Sequence, residues 1–534
     1  MRKGFFKKMA AVVLAVVTTM TMFTGCGGAG STSASTKSIT IQGGNTEGDL
    51  DPAGVALGMF IQYSRLCLEP LVTYDSDGKV SKAMAESYEE SSDGLTWTFH
   101  LRKDAKWSDG SAVTSADFVN TIKRSLDGKT SKSIYADMLS PIVGATEAYA
   151  GTASVDNVGV TAPDDYTIEF KLVKPCSYFL KLIAMQCCYP SKAGIATNEN
   201  ETWYTDPKTN LANGAFYMTE YVQGQYYKLK KNPNYYEDIT VKFIDDATAA
   251  VSAYKTNEVD FATNLPAYVM SEYQGKSDLV LQPNITTRFI LFNVTKAPFN
   301  NDKVRRAISM ALSRAEICKT VGDDYEASTQ FIAKYMLSNL GTGKKFSDES
   351  GEMVTEDIAK AKSLLAEAGY PNGAGFPTVT YNYPNNEQDK LIAQAIQAQL
   401  KSALNINVEL NGMESQVCVS ERKSGNFDMT RHNWTADYDD AMDYLLMWTS
   451  TSGLNDAGIK DADYDKLCED ATAELDETKR NTIMHDAEKL LVTDKAYVAP
   501  LATNKTICLL NPKYTGYSFD SSGQILLKFI KAAE

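Results

Sequence analysis

The order of the hydrophobic patterns limits the fold of this chain more than any other feature, because strand-like and helix-like segments alternate along it. Between residues 95 and 101, Leu, Trp, Phe and Leu alternate with polar residues, which predicts a half-buried strand. Thr114 and Asp117 then have the spacing of a helix capping box, and apolar residues at 118, 122 and 126 predict one buried helix face. Strands mixed with helices in this order predict an α/β architecture.

The alternation continues over most of the remaining chain. Further strands are predicted at 38–42, 167–173, 289–293 and 406–410, and further helices at 301–312, 357–368 and 389–404. No internal repeat occurs, and no low-complexity linker divides the chain after residue 37. We therefore expect domains that share crossing segments.

The N-terminus has the pattern of an export signal. Residues 1–8 carry four basic and no acidic side chains, and residues 9–23 form a short apolar run, too short to span a bilayer. Cys26 follows small residues as in a bacterial lipobox, which predicts a lipoprotein signal peptide at 1–25 and lipidation of this cysteine. Residues 26–37 are a polar Gly/Ser/Thr tract that suits a flexible linker. A plain signal peptide that is cut nearby is the alternative.

Length and charge narrow the possible functions. Removal of residues 1–25 leaves 509 of the 534 residues, too many for one hydrophobic core, and predicts two or more domains. Four basic residues leave with the signal, so the net charge falls from −14 to about −18. An acidic chain without a basic stripe is not expected to bind nucleic acid. Eight cysteines follow Cys26 at irregular spacings, from which no disulfide pairing can be read.

Catalytic and metal-binding patterns are missing from the sequence. His100, His432 and His485 lie far apart and lack the spacing of metal ligands. Residues 461–465 carry Asp at alternate positions like a calcium loop, but Lys and Thr stand where such a loop needs Gly and Glu. No phosphate-binding loop or nucleophile elbow occurs. We predict that the chain is not an enzyme and binds no cofactor or metal; an exported hydrolase is an alternative that carboxylate-rich sequences always leave open.

Six short motifs, in the same order, resemble the peptide-binding receptors of bacterial ABC importers, which are extracellular solute-binding proteins of family 5. They are 99–110 (FHLRKDAKWSDG) with 114–118 (TSADF), 213–216 (NGAF), 231–235 (KNPNY), 297–300 (APFN) and 364–370 (LLAEAGY). The similarity extends from about residue 38 to about residue 514 and so covers nearly the whole chain after the signal.

This resemblance implies a periplasmic-binding-protein-like α/β fold with two lobes (a Venus flytrap) and an extra third domain. The lobes of such proteins close over a ligand about a hinge, and ligand sites prefer domain interfaces. The implied domains are domain I from 38–70, 191–286 and 503–534 (lobe 1), domain II from 71–190 (an accessory of lobe 1) and domain III from 287–502 (lobe 2).

The resemblance is most informative at residues 431–440 (RHNWTADYDD), which contain the family's aromatic-x-Ala-Asp-Tyr element. In that element the Asp receives the α-ammonium group of the peptide, and Asp437 stands at this position. A charged amine that leaves water needs a carboxylate partner, because an unpaired buried charge is very costly. Without the motif, Asp437 would be interpreted as a solvated turn residue.

The resemblance also implies how the rest of a peptide is held. Trp434 stands where the family has an aromatic wall against a ligand side chain, and a core position is an equal alternative. Backbone groups at Asn433, Thr435 and Ala436 are expected to pair with the ligand main chain like an added strand.

Arg431 and Arg422 match basic positions that meet the ligand carboxylate, which a guanidinium can bind in a bidentate way. The alternative, that they balance nearby acids such as Asp428, stays open.

The resemblance brings further positions to the ligand, and most of them depart from the family pattern. They are Gln388, Leu57, Gly58, Met59, Asn264 and Asn504. Gln388 replaces a His that contacts longer peptides, Asn504 replaces an aromatic residue, and the segment 56–59 lacks an acidic residue that helps to hold the amine in some members. The sequence therefore does not predict which peptides are preferred.

The functional prediction is a monomeric, lipid-anchored receptor at the outer face of a bacterial cytoplasmic membrane. It would capture short peptides and pass them to ABC permease subunits with their ATPases. Members of this fold also bind nickel complexes, haem, opines or oligosaccharides, so another solute is the first alternative. A peptide-signal sensor with the same cleft is the second.

Overall fold

The computed structural model of this protein describes residues 38–43, 50–54, 58–74, 79–131, 133–200, 202–233, 238–322, 324–340, 343–519 and 525–533. The predicted signal peptide, Cys26 and the linker that follows it lie outside the described residues, as does Leu57.

The strands and helices are numbered in chain order. The strands are β1 (Ile39–Gly43), β2 (Val72–Tyr74), β3 (Val80–Lys82), β4 (Ala85–Glu90), β5 (Thr96–Leu101), β6 (Val160–Asp164), β7 (Thr167–Lys171), β8 (Phe216–Val222), β9 (Tyr226–Lys231), β10 (Ile239–Phe243), β11 (Phe261–Ala262), β12 (Leu279–Phe292), β13 (Tyr325–Ala327), β14 (Val379–Pro384), β15 (Val408–Met413), β16 (Met429–Thr435), β17 (Val498–Leu510), β18 (Tyr514–Thr515), β19 (Ser518–Phe519), β20 (Ile525–Leu526) and β21 (Lys531–Ala532).

The helices are α1 (Gly58–Cys67), α2 (Ser115–Leu126), α3 (Ala145–Tyr149), α4 (Phe179–Ile183), α5 (Ala247–Lys255), α6 (Tyr268–Tyr273), α7 (Asp302–Ala311), α8 (Arg314–Lys319), α9 (Phe346–Ser350), α10 (Ile358–Glu367), α11 (Glu387–Leu404), α12 (Ser415–Lys423), α13 (Met442–Leu445), α14 (Ala462–Ala473) and α15 (Glu477–Lys489). In the described part of the chain, none of these helices has both the length and the apolar character needed to cross a membrane.

A sheet of eleven strands organises the described residues, in the order β15-β14-β16-β12-β17-β11-β1-β10-β9-β8, with β13 also paired to β17. The two long strands β12 and β17 pair antiparallel at its centre. Strand β14 is parallel to β15 and β16, whereas β16 is antiparallel to β12. A separate antiparallel sheet has the order β4-β5-β7-β6. This mixture of sheets and helices confirms the α/β prediction.

The segment from β5 to α2 forms as its pattern predicts. In β5 the apolar residues are buried and the intervening residues stay partly exposed. The backbone N–H of Thr114 donates a hydrogen bond to the Asp117 carboxylate at 2.9 Å, and this capping box begins α2. The indole N–H of Trp107 donates to the same carboxylate at 2.9 Å. The cap therefore also anchors the loop that precedes the helix.

The other predicted elements occur with shifted ends. Strands β1 and β7 and helices α7, α10 and α11 lie close to their predicted ranges. The strand predicted at 289–293 is only the end of β12, because polar residues and Pro283 interrupt the hydrophobic pattern in the first part of this strand. The strand predicted at 406–410 is β15, which begins at Val408.

Strand β16 lies between two apolar clusters, and its side chains alternate between them. His432 is buried on one side, with its ring centroid 4.9 Å from that of Phe289. Arg431 reaches the other side, where its Nε donates to Asp389 of α11 at 3.0 Å. Since successive side chains of a strand point to opposite faces, Trp434 lies on the face of His432 and not on that of Arg431.

Candidate functional site

One edge of β16 is open over most of its length. On one side the strand pairs with β12 from Met429 to Thr435. On the other side it pairs with β14 only at Met429 and Thr430. No strand of the described residues pairs with this edge from Arg431 to Thr435. An extended ligand could therefore add to the sheet here through main-chain hydrogen bonds.

Asp437 lies two residues beyond the end of this strand, and its side chain is partly buried. Within the described residues, no hydrogen bond or ion pair reaches its carboxylate. Burial raises the pKa of Asp437 to about 7. A cation beside this carboxylate would favour its ionised form, since an opposite charge offsets the loss of hydration.

A second carboxylate, that of Asp443 at the start of α13, lies beside the first and is 4% exposed. Its Oδ2 accepts hydrogen bonds from the Trp434 indole N–H at 2.6 Å and from the Asp437 backbone N–H at 3.2 Å. Burial raises the pKa of Asp443 well above its ordinary range, and the charge of Asp437 raises it further, against both hydrogen bonds. Sequence reasoning missed this residue. Its only signal was an Asp within an otherwise apolar helical turn.

Residues 438–440 tie the site to the segment around α4. The Tyr438 ring stacks on that of Tyr178 at 5.6 Å between centroids. The buried Asp440 accepts hydrogen bonds from Arg480 at 2.7 and 3.0 Å and from Lys181 at 3.1 Å. These contacts fix the loop directly after Asp437.

The two arginines that were predicted to meet a ligand carboxylate already have acidic partners. Arg431 Nε is 3.0 Å from Asp389 Oδ1, and Arg288 contacts the same oxygen at 2.9 Å. Arg422 Nε is 2.9 Å from Asp456 Oδ2. Burial, followed by the charge of Arg288, lowers the pKa of Arg431 below its ordinary value. This part of the structure is thus rich in guanidinium groups that are only partly balanced by carboxylates.

The end of β16 is held by short contacts to β12. The hydroxyl oxygens of Thr435 and Thr286 are 2.7 Å apart, and the backbone N–H of Ala436 donates to Ile285 O at 3.2 Å. On the same face of the strand as Thr435, Arg431 Nη1 donates to Asn433 Oδ1 at 2.5 Å. The strand therefore presents its free edge in a fixed conformation.

The remaining predicted residues are spread over several elements. Gln388 is partly exposed in the first turn of α11, directly before the acid that binds Arg431. Asn504 lies in β17, opposite β13. Gly58 and Met59 begin α1. Asn264 is exposed just after β11, which leaves strands β17 and β12 between it and β16.

The polar motifs that sequence analysis had rejected as metal sites have structural roles. Asp461 caps α14 by accepting hydrogen bonds from the backbone N–H groups of residues 463 and 464. In the described ranges, no three His, Cys, Asp or Glu side chains come together as metal ligands. The eight cysteines after Cys26 are all buried, and none of them forms a disulfide.

A family model for bacterial extracellular solute-binding proteins, family 5 (middle region), matches residues 79–456. The chain belongs to this family. Its members are solute-binding proteins, as the free edge of β16 and the unpaired carboxylate of Asp437 had suggested. The predicted family is thereby confirmed.

Among family 5 proteins, the chain is 30% identical to the dipeptide-binding protein DppE of Bacillus subtilis, over 86% of both chains. It is also 30% identical, over 88% of both chains, to YgiS of Escherichia coli, a probable deoxycholate-binding periplasmic protein. The structure of the E. coli murein tripeptide binding protein MppA superposes with a TM-score of 0.75 at 27% identity, covering 94% of this chain and 99% of MppA. The predicted periplasmic-binding-protein-like fold is confirmed by this likeness.

Proposed function

We propose that this protein is the receptor of an ABC peptide importer and that it holds the ammonium group of a short peptide at Asp437. The observation that carries this proposal is a partly buried carboxylate without a partner in the described residues, at the end of an open strand edge. A buried carboxylate is stable as an ion only with a counter-charge. A peptide amine supplies that charge from the same molecule whose main chain would pair with β16.

Binding along the β16 edge explains how such a receptor would accept different peptides. The main chain of any peptide offers the same N–H and C=O groups to Arg431–Thr435, whereas its side chains point to the two faces of the sheet. The Trp434 indole, fixed by Asp443, then forms a flat apolar wall on one of these faces.

Arg431 and Arg422 remain our candidates for the carboxylate end. Both are mostly buried and already contact an acid, so a ligand carboxylate would join or displace Asp389 and Asp456. Bidentate pairing favours a guanidinium for this task. Three arginines, with Arg288 as the third, share the two acids, which leaves positive charge for one more anion.

We also propose that the chain is divided at the domain limits predicted from the sequence and that the two lobes close about a hinge at these limits. The limits at 286/287 and 502/503 fall inside β12 and β17, the two strands that cross the centre of the sheet. Their pairing is irregular between Pro283 and Thr287, where a bulge interrupts the register. Two strands with a local irregularity can bend while the sheets on either side stay intact.

The anchor at Cys26 and delivery to a separate permease complete the proposal. They rest on the N-terminal pattern of the sequence alone. Cys26→Ala should move the protein from the membrane fraction into the soluble exported fraction. An unchanged distribution would contradict lipidation at this cysteine.

A non-peptide solute is the second candidate, because one relative at the same identity is a probable deoxycholate-binding protein. A bile acid has a carboxylate but no amine, so it would leave Asp437 without a counter-charge. Mass spectrometry of the ligand that co-purifies with the protein separates the two candidates. A ladder of short peptides supports the first, and one defined non-peptide compound supports the second.

The direct test of the amine role compares Asp437→Ala with the wild-type protein by titration calorimetry. Loss of one partner of a buried charge pair costs about 2–5 kcal/mol, so free-amine peptides should bind about 30- to 4,000-fold more weakly. N-acetylated forms of the same peptides should be little affected. Equal losses for both forms would contradict the amine clamp.

A further inference from the structure

A second carboxylate lies next to the residue proposed to hold the ligand amine, because Asp443 Oδ2 accepts a hydrogen bond from the Asp437 backbone N–H at 3.2 Å. Asp437 and Asp443 are close enough that the charge of the first raises the pKa of the second. The contacts of Asp443 run to Trp434 and to the backbone of Asp437, so this side chain is fixed by the site itself and not by a distant element. Two buried carboxylates that share a site cannot both ionise at ordinary cost, and a shared proton is the usual result.

Several other charged and titratable groups surround this pair. Tyr135, Tyr438 and Tyr444 face it, and burial raises the pKa of each well above the ordinary tyrosine value, so all three stay neutral. Asp440 also acts on Asp443, but it is itself paired with Arg480 and Lys181. Arg65 and Cys187 act on Tyr135, and Asp439 acts on Tyr444.

We propose that Asp443 is the second carboxylate of the amine site, and that the ligand's ammonium group enters in exchange for a proton held between Asp437 and Asp443. This inference rests on the proposed function, because it assigns the ligand of Asp437 as a cation. The exchange balances: the empty pair carries one proton and one negative charge, and the occupied pair carries two negative charges and one ammonium. The released proton goes to solvent.

The exchange explains why an acid can lie in an interior position with no permanent partner. With one proton, the empty site has a single negative charge and tolerates burial. With an ammonium in its place, the site has the same net charge, so filling it does not bury additional charge. A neutral ligand end offers no such exchange and would have to enter beside the retained proton. The pair would thereby select ligands that carry a cation at this end.

The binding test uses tri-alanine, with N-acetyl-tri-alanine as the matched ligand control. Calorimetry at pH 7.2, in two buffers of different ionisation enthalpy, gives the number of protons released. We expect the wild-type protein to release more protons per tri-alanine bound than Asp443→Asn, by up to about one, because the amide oxygen of the variant can accept both hydrogen bonds but cannot hold the shared proton. Between pH 6 and 7.5 the wild-type affinity should rise more steeply with pH than that of the variant, by up to about tenfold per pH unit at the upper end, where Asp437 alone is mostly ionised. The exposed carboxylate variant Asp463→Asn should behave as wild type.

Equal proton release in the wild type and Asp443→Asn would overturn the proposal, since Asp443 would then keep its proton as a structural hydrogen-bonding group. The difference between the two proteins is the decisive quantity, because the titration of the peptide's own amine is common to both. Tri-alanine that binds only as well as its acetylated form would contradict the proposed amine function itself.

A ligand-free measurement separates the two failures. The Trp434 indole donates to Asp443, so its fluorescence should follow the ionisation of the pair. Subtracting the signal of Trp434→Phe isolates this tryptophan. We expect a titration step in the wild type that Asp443→Asn shifts by at least one pH unit or abolishes. The same step in both proteins would contradict the shared proton, whatever the result with peptides.

Discussion

The ion pair between Arg480 and Asp440 gives the sharpest stability prediction. Both side chains are at most 1% exposed, and the guanidinium donates two hydrogen bonds to the carboxylate and a third to Ala471 O at 3.1 Å. Burial alone would raise the pKa of Asp440, but Arg480 and Lys181 outweigh it and hold the pKa well below its ordinary value. The carboxylate is therefore ionised inside the protein, and its charge depends on these two cations.

Arg480→Met preserves most of the side-chain volume but removes this partner. Loss of one member of a buried ion pair costs about 3–5 kcal/mol of unfolding free energy, because the other charge stays buried. Lys181 still contacts Asp440 at 3.1 Å, so we expect a loss near the lower end, about 3 kcal/mol. Without Arg480, which opposes the effect of burial most strongly, Lys181 and the Met442 backbone N–H remain, so we expect the pKa of Asp440 to rise above its unfolded value and stability to fall as pH rises through that pKa. The difference from wild type should thus be larger at pH 8 than at pH 5.

Urea denaturation followed by fluorescence and by circular dichroism measures this effect, and coincident curves permit conversion of midpoints to free energies. Lys319→Met removes a cation from an exposed pair and should change stability by less than about 0.5 kcal/mol. Arg480→Met combined with Asp440→Asn should recover about 1 kcal/mol or more of the loss, because no uncompensated charge remains. A loss below about 1 kcal/mol for Arg480→Met, at both pH values, would refute the assignment of a buried, ionised pair.

Three further predictions concern other sites. Burial raises the pKa of Glu488 to about 7, although two backbone N–H groups, of residues 331 and 332, donate hydrogen bonds that lower it. Between the unfolded pKa and this value the folded protein binds more protons than the unfolded chain, so stability should fall as pH rises from 5 to 8. Glu488→Gln should flatten this fall in thermal denaturation. C-amidation of a peptide should weaken its binding about 10- to 100-fold, because charge-assisted hydrogen bonds to its carboxylate are lost, and Arg431→Gln or Arg422→Gln should abolish this difference between the free-acid and amidated peptides. Equal calorimetric affinities of the wild-type protein for both peptides would count against a carboxylate clamp. Saturating ligand should decrease the radius of gyration in solution scattering, and a constant radius would contradict hinge closure.

Local patterns predicted the elements whose hydrophobic period is undisturbed. The capping box at Thr114 and the alternating strand before it were predicted correctly because neighbouring residues determine them. The first part of β12 was missed, because Pro283 and its polar neighbours give no strand signal, and the pairing with β17 is a long-range contact. The eleven-strand order could not be read from the sequence for the same reason.

At the candidate site, motif similarity located Asp437 but not Asp443. An aspartate in the first turn of a short helix is usually a capping or surface residue, and only the tertiary structure turns it toward Trp434. The acids that hold the arginines were also not predicted: Asp389 and Asp456 come from elements that are distant in sequence from Arg431 and Arg422. The identity of such partners depends on packing and not on local pattern.

One feature of the site could have been derived from the sequence by elementary strand geometry. Arg431 and Trp434 are three residues apart on one strand, so their side chains must point to opposite faces of the sheet. The proposed aromatic wall and the proposed carboxylate partner therefore lie on different faces of β16. A ligand that pairs with the unpaired part of the β16 edge has access to both faces at once. The free edge from Arg431 to Thr435 would thus allow one extended ligand to reach the Trp434 indole and the Arg431 guanidinium, although the sheet separates these two side chains.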